Sequence, residues 1–173
     1  MIREHYAHLF DGDAGAAARA AALAARTFEF SEFLTKVLHV DLRELGRGGV
    51  RWEGEVTAHS ACHLRGLGLT GVSEGLLGEI RGVKLKPLGK AEQCCGFGGT
   101  FAVKYPQISG GMVGEKVECI QATGCTTVVC NEAGCGMNLA GACRRAGANV
   151  RFISLAEIIA EGLGLMERQE GGT

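Results

Sequence analysis

Apolar positions set two rhythms along this chain. Between residues 11 and 40 the period is helical. Ala14 to Ala25 is nearly continuous alanine, the residue that gives up least on entering a helix, and Phe30, Phe33, Leu34, Val37 and Leu38 follow at i, i+3, i+4, i+7 and i+8. That spacing lays one apolar face along a helix predicted over 11–40. Residues 41–53 read as a connection, because Gly46, Gly48 and Gly49 interrupt any period. From residue 54 short apolar runs alternate with longer amphipathic ones. Strands are predicted over 56–59, 83–88, 126–130 and 149–153, the third rich in β-branched residues and therefore buried. Helices are predicted over 73–80, 107–122, 136–146 and 154–163. The last begins at Ser154, with Glu157 three residues on to complete a capping box.

This alternation of strand and helix predicts an α/β fold, a small parallel sheet flanked by helices, with an N-terminal helical extension. The expected division is 1–53 for the extension and linker and 54–173 for the domain. The tail 169–173 reads as frayed. In parallel sheets, ligands gather at the carboxyl ends of the strands. Cys62, the adjacent pair Cys94–Cys95, and Cys135 each fall just after a predicted strand. Three loops are thus expected to present thiols at one edge of the sheet.

Composition narrows the chemistry. Apolar residues make up 46% of the 173 positions and the net charge is −1, which gives no electrostatic case for nucleic acid or an anionic membrane surface. No apolar run reaches the roughly 18–20 residues needed to span a bilayer, and the first residues lack a signal-peptide pattern. The cytoplasm is the expected location. Eight cysteines without a secretion signal argue against a disulfide framework and for metal or redox chemistry.

Thiolates are soft donors suited to iron–sulfur clusters, zinc and copper(I). An adjacent Cys-Cys pair is unusual in a tetrahedral zinc knuckle, which prefers Cys-x-x-Cys. Adjacent thiolates can instead reach neighbouring metals. Gly96, Gly98 and Gly99 let the backbone wrap closely, and their amides can hydrogen-bond sulfur and tune a reduction potential. Three readings stand: an iron–sulfur electron-transfer centre, a structural zinc site, and a metal-free redox pair at Cys94–Cys95, whose vicinal disulfide would be strained. Cys119 and Cys143 lie on predicted helices and read as structural thiols. Cys125 sits at the far end of its strand. His59 and His63 flank Cys62: each is either a ligand or hydrogen-bond donor at the site, or satisfied locally. The local reading is preferred for His59, and His63 stays open. Arg65 and Lys104 either balance cluster charge or are solvated. No glycine fingerprint for a dinucleotide follows a strand, so substrate oxidation is expected to belong to a partner.

Three stretches carry a family resemblance: His59-Ser60-Ala61-Cys62-His63-Leu64-Arg65-Gly66-Leu67-Gly68, then Cys94-Cys95-Gly96-Phe97-Gly98-Gly99-Thr100-Phe101-Ala102-Val103-Lys104-Tyr105-Pro106, then Gly134-Cys135-Gly136-Met137-Asn138-Leu139-Ala140-Gly141. They resemble the cysteine-rich CCG domain family, whose members include a component of heterodisulfide reductase and the iron–sulfur subunit of glycerol-3-phosphate dehydrogenase. The family pattern is Cys, then Cys-Cys-Gly, then Cys-x-x-Cys, and the first gap here, 31 residues, fits it. Within the family the chain is most similar to the branch that serves bacterial L-lactate oxidation, whose linker helix the segment 24–34 also resembles. The resemblance implies a cluster on Cys62, Cys94, Cys95 and Cys135, and partners among the other subunits of a lactate oxidation complex.

Two departures qualify it. The first cysteine of the final Cys-x-x-Cys is replaced by Glu132, either an oxygen ligand or a loop acid. With four motif thiols, a 4Fe-4S cluster is expected in preference to the noncubane form, with Cys130 as a further candidate thiol. Members of this branch also carry two cysteine-rich halves, whereas this chain holds one. Residues 1–6 resemble the segment that follows the first half, so a preceding cysteine-rich half is an expected partner.

Overall fold

The computed structural model describes residues 1–168. The predicted frayed tail, 169–173, lies outside the described residues. The chain divides after His39 into two compact units.

The first unit comprises α1 (Ile2–His5), a 3-10 turn (Ala7–Phe10), α2 (Ala14–Ala25), α3 (Phe30–Glu32) and a π-helical turn (Phe33–Val37). The single helix predicted over 11–40 is therefore broken at 26–29, and side chains explain the break. Asp13 caps α2, its Oδ1 accepting from Ala16 N at 2.9 Å. At the other end Thr27 Oγ1 donates to Leu23 O at 2.8 Å. Glu29 is extended and starts a new helix, its carboxylate accepting from Ser31 N at 2.7 Å and Glu32 N at 3.2 Å. The apolar face expected here is not buried either: Phe30, Phe33, Val37 and Leu38 are exposed, and Ser31 and Glu32 are the buried residues of the segment. Burial alone would raise the Glu32 carboxyl, but Lys36 Nζ at 3.2 Å and Arg3 Nη1 at 2.5 Å hold it below its ordinary value.

The second unit is the α/β fold expected. Its elements are β1 (Arg51–His59), α4 (Cys62–Gly66), α5 (Val72–Glu79), β2 (Arg81–Lys86), α6 (Thr100–Lys104), α7 (Pro106–Thr123), β3 (Thr127–Cys130), α8 (Ala133–Arg145), β4 (Arg151–Ile153) and α9 (Leu155–Gly162). All strand pairs are parallel, in the order β2-β1-β3-β4. β1 begins five residues before the predicted strand. Its first half alternates charged residues with Trp52 and Gly54, and its pairing with β2 shifts register between Arg51 and Gly54. A Cβ on Gly54 would meet the Trp52 ring at 2.8 Å. That bulge glycine broke the apolar pattern, although Leu42, Val50 and Trp52 are all buried.

Helix ends follow local chemistry. Pro106 opens α7 at the position where a missing N–H costs nothing, and Gly124 closes it at φ +70. The Ser154–Glu157 capping box of α9 is formed in both directions. α7 and α8 meet over one sheet face around Val113, Val117, Ile120, Val128 and Leu139, in a single apolar cluster that also takes in Leu64, Leu69 and Leu88. By alternation Val129 faces the other way. Trp52 and Arg151 reach α9, each hydrogen-bonding Glu161. Among the described residues no helix is long and apolar enough to cross a membrane.

Candidate metal centre

The strand order sets the site. From β1 the chain moves to β2 on one side, then returns past β1 to β3 and β4 on the other. The direction reverses between β1 and β3, which leaves a crevice outside their carboxyl ends. His59, the last residue of β1, is paired in register with Cys130, the last of β3. Cys62 opens α4 just after β1. Cys94 and Cys95 lie in the loop after β2. Glu132 precedes α8, and Cys135 lies in the first turn of α8 rather than in a loop.

The loop after β2 is held from several sides. Lys116, on α7, is fully buried, and its ammonium donates to Lys90 O and to Ala91 O, the latter at 3.3 Å. Burial draws its pKa below the ordinary lysine value. Ser109 Oγ donates to Gly96 O at 2.8 Å, Asn138 Nδ2 to Cys95 O at 2.9 Å, and Arg65 to Glu92 O. Gly96 has φ +83, and a Cβ there would stand 2.8 Å from Ser109 O. Only glycine fits both the backbone angle and the close approach of α7.

Cys95 turns inward and Cys94 outward. Cys95 Sγ lies 3.0 Å from Cys135 Sγ, and both residues are buried. Contact between the two sulfurs draws Cys95 well below the usual thiol value and, with burial, pushes Cys135 well above it. Cys94 is half-buried. Burial raises its pKa, the Gly96 amide donating to its Sγ at 3.4 Å opposes this, and the neighbouring Cys95 and Cys62 raise it further. Cys62 is exposed. The Cys94–Cys95 redox pair allowed by the sequence thus has its second thiol directed at Cys135.

The remaining candidates fall into place around these four. Glu132 and His63 face each other on the rim, Oε2 to Nδ1 at 3.2 Å. Cys130 is buried, its thiol donating to Glu132 O at 3.4 Å and pushed up to about 11 by burial. Cys119 is half-buried on α7, Cys125 is buried at the opposite end of β3, and Cys143 is buried further along α8.

His59 differs from its expected role. It is 4% exposed, and its ring lies against Cys95, where it helps to hold that thiol below its ordinary value. One of its nitrogens and the sulfurs of Cys95 and Cys135 all lie within 4.8 Å of one another. The sequence reading placed it away from the thiols, whereas it stands beside two of them. The available signal was its place as the last residue of a buried strand, where a polar ring meets no water.

A parallel sheet with thiols gathered at its switch point defines a cysteine-rich α/β domain. In agreement, residues 56–140 match the CCG family model, a cysteine-rich domain. The chain is 39% identical over 160 residues to "Lactate utilization protein A" of Anoxybacillus flavithermus, covering 92% of this chain and 65% of that protein. It is 39% identical over 160 residues to the protein of the same name from Lysinibacillus sphaericus, with 92% and 68% covered. The counterpart from Macrococcus caseolyticus is 40% identical over 157 residues, with 90% and 62% covered. The chain belongs to the Lactate utilization protein A family, and it spans about two thirds of the length of these relatives.

Proposed function

We propose that this chain is an iron–sulfur electron-transfer domain acting in L-lactate oxidation, with Cys62, Cys94, Cys95 and Cys135 holding a 4Fe-4S cluster. The supporting observation is the convergence of Cys62, Cys94, Cys95 and Cys135 from three strand-end segments onto the β1/β3 switch point. The donor set fits: four soft sulfurs, two of them adjacent in the chain, with a buried imidazole beside Cys95 and Cys135. Such a cluster, when bound, takes up and gives back single electrons at a potential set by its surroundings.

This chain's residues supply those surroundings. The Gly96 amide donates to Cys94 Sγ, and the buried Lys116 ammonium stands near Cys94 and Cys95, so both favour negative charge at the thiolates. The apolar cluster beneath Cys95 and Cys135 excludes water from the inner side. Partners in this reading are the other subunits of a lactate-oxidising complex and a preceding cysteine-rich half, in the cytoplasm. Substrate oxidation is left to a partner.

A structural zinc site is the second reading, favoured by the compact set of His59, Cys95 and Cys135. Anaerobic purification followed by iron, sulfide and zinc analysis separates the two. The electron-transfer reading expects iron and sulfide in comparable amounts and an EPR signal on reduction. A colourless protein carrying zinc and no sulfide, even after anaerobic reconstitution, overturns it.

A further inference from the structure

We propose that the first unit, Met1–His39, is a docking element whose exposed apolar side receives the polypeptide making up the remaining third of this chain's relatives. It gives a surface to the partner named above, a preceding cysteine-rich half, and rests on that reading. The unit is built inside out. Its buried residues are Ala16, Ala20, Ser31 and Glu32, which are two alanines, a hydroxyl and a carboxylate. Glu32 is held there by Arg3 at 2.5 Å and Lys36 at 3.2 Å. The large apolar side chains lie outside: Phe10, Leu23, Phe28, Phe30, Phe33 and Leu38 are all exposed. Phe28 and Phe33 stand together, their ring centroids 6.2 Å apart. A charged cluster thus occupies the place where a small unit needs its core.

Burial of apolar surface is the main term that offsets the entropy of ordering a chain. A piece of fewer than about 40 residues rarely supplies enough of it alone, and this one buries no large apolar side chain. Its helices add little. α2 has 12 residues and α3 has three, at or below the roughly 12–15 at which isolated helices are marginal in water. The missing burial has to come from another surface, and exposed aromatic and aliphatic side chains gathered together are the usual anchors of such a contact. The relatives indicate what covers them. Their matches take in 157 or 160 residues of this chain, so more than half of the unit is shared with them. About a third of each relative's length has no counterpart here. Proteins that carry this exposed face therefore also carry polypeptide to cover it. The face is apolar, so the surface that meets it must be apolar as well.

The test co-expresses the tagged full chain with the part of the Anoxybacillus flavithermus, Lysinibacillus sphaericus or Macrococcus caseolyticus relative that has no counterpart here. A one-to-one complex by light scattering is expected with at least one of them, and hydrogen exchange at residues 28–38 is expected to slow in it. F30S/F33S is expected to weaken binding on the order of tenfold or more, while L165S, which removes an exposed leucine of the other unit, leaves it unchanged. Should the double variant fail to fold, L38S reads the same contact. No complex with any of the three partners overturns the docking assignment, as does a complex that these serine variants of the first unit leave intact. A chain that dimerises by itself, and that F30S/F33S returns to monomer, names a second copy as the occupant and overturns it too. Iron and sulfide play no part in these measurements. A protein that takes up neither, yet forms the complex, loses the electron-transfer reading and keeps the docking surface; a loaded protein without the complex does the reverse.

Discussion

Cys94 and Cys95 are consecutive in the chain and occupy opposite surroundings. Cys95 is 2% exposed and its sulfur touches Cys135, on a helix 40 residues further on. Cys94 is half-buried and faces Cys62, which is exposed. The difference lies in what holds each sulfur. The inner pair stands on the apolar cluster between α7, α8 and the sheet. The outer pair stands on a short helix and a loop at the edge of the crevice. A turn that sends neighbouring side chains to opposite sides lets one dipeptide serve both. An inner sulfur, once removed, can be replaced by nothing from solvent, whereas an outer one can be replaced by water or an added thiol.

Breaking the inner pair therefore has the largest expected effect. C95S or C135S is expected to lower retained iron by on the order of tenfold or more, since a site deprived of a ligand loses more than the 10–100-fold typical of second-sphere changes. C62S is expected to keep a labile centre whose iron content is partly restored by added small thiol. Elemental analysis before and after desalting checks both, and equal losses from the two sets would erase the distinction between inner and outer pairs.

Lys116 comes next. K116M keeps the stem and removes the ammonium from the Lys90 and Ala91 carbonyls. Losing these part-buried, charge-assisted hydrogen bonds is expected to cost about 1.5–3 kcal/mol, read by urea unfolding of the metal-free protein. Gly96→Ala forces a side chain into φ +83 and against Ser109 O. The backbone angle alone costs about 1–2 kcal/mol, and the inner thiol is expected to be displaced with it, so reconstituted iron should fall along with stability. The smallest effect is expected on the rim. E132Q breaks only a partly exposed contact with His63, and its stability change is expected within about 0.5 kcal/mol of zero. Unchanged iron content in E132Q identifies Glu132 as a loop acid, whereas a marked loss makes it a ligand.

Much of the frame was legible in the primary structure. The parallel α/β layout followed from strands and helices alternating after residue 54, and the capping box at Ser154 marked α9 correctly. Errors arose where a local rule was overridden. Glu29 restarts a helix inside an unbroken apolar period, and Gly54 hides the first half of β1 behind a bulge. Cys135 was expected in a loop, yet α8 begins at Ala133, because glycines on either side weaken a helix signal without preventing the helix. His59 was expected to be satisfied away from the thiols, and its place beside Cys95 and Cys135 became visible only with every neighbour in place.

Residue order alone was enough for the α/β alternation, the motif cysteines beside strand ends and the glycines that allow the Cys94–Cys95 loop to turn. Those are local properties, written in residues a few positions apart. Which sulfur meets which, and which histidine stands beside them, depended on the strand order β2-β1-β3-β4 and on the register that aligns His59 with Cys130. That order comes from packing helices over a sheet whose strands are distant in the chain, and only the folded structure brings such residues within contact distance.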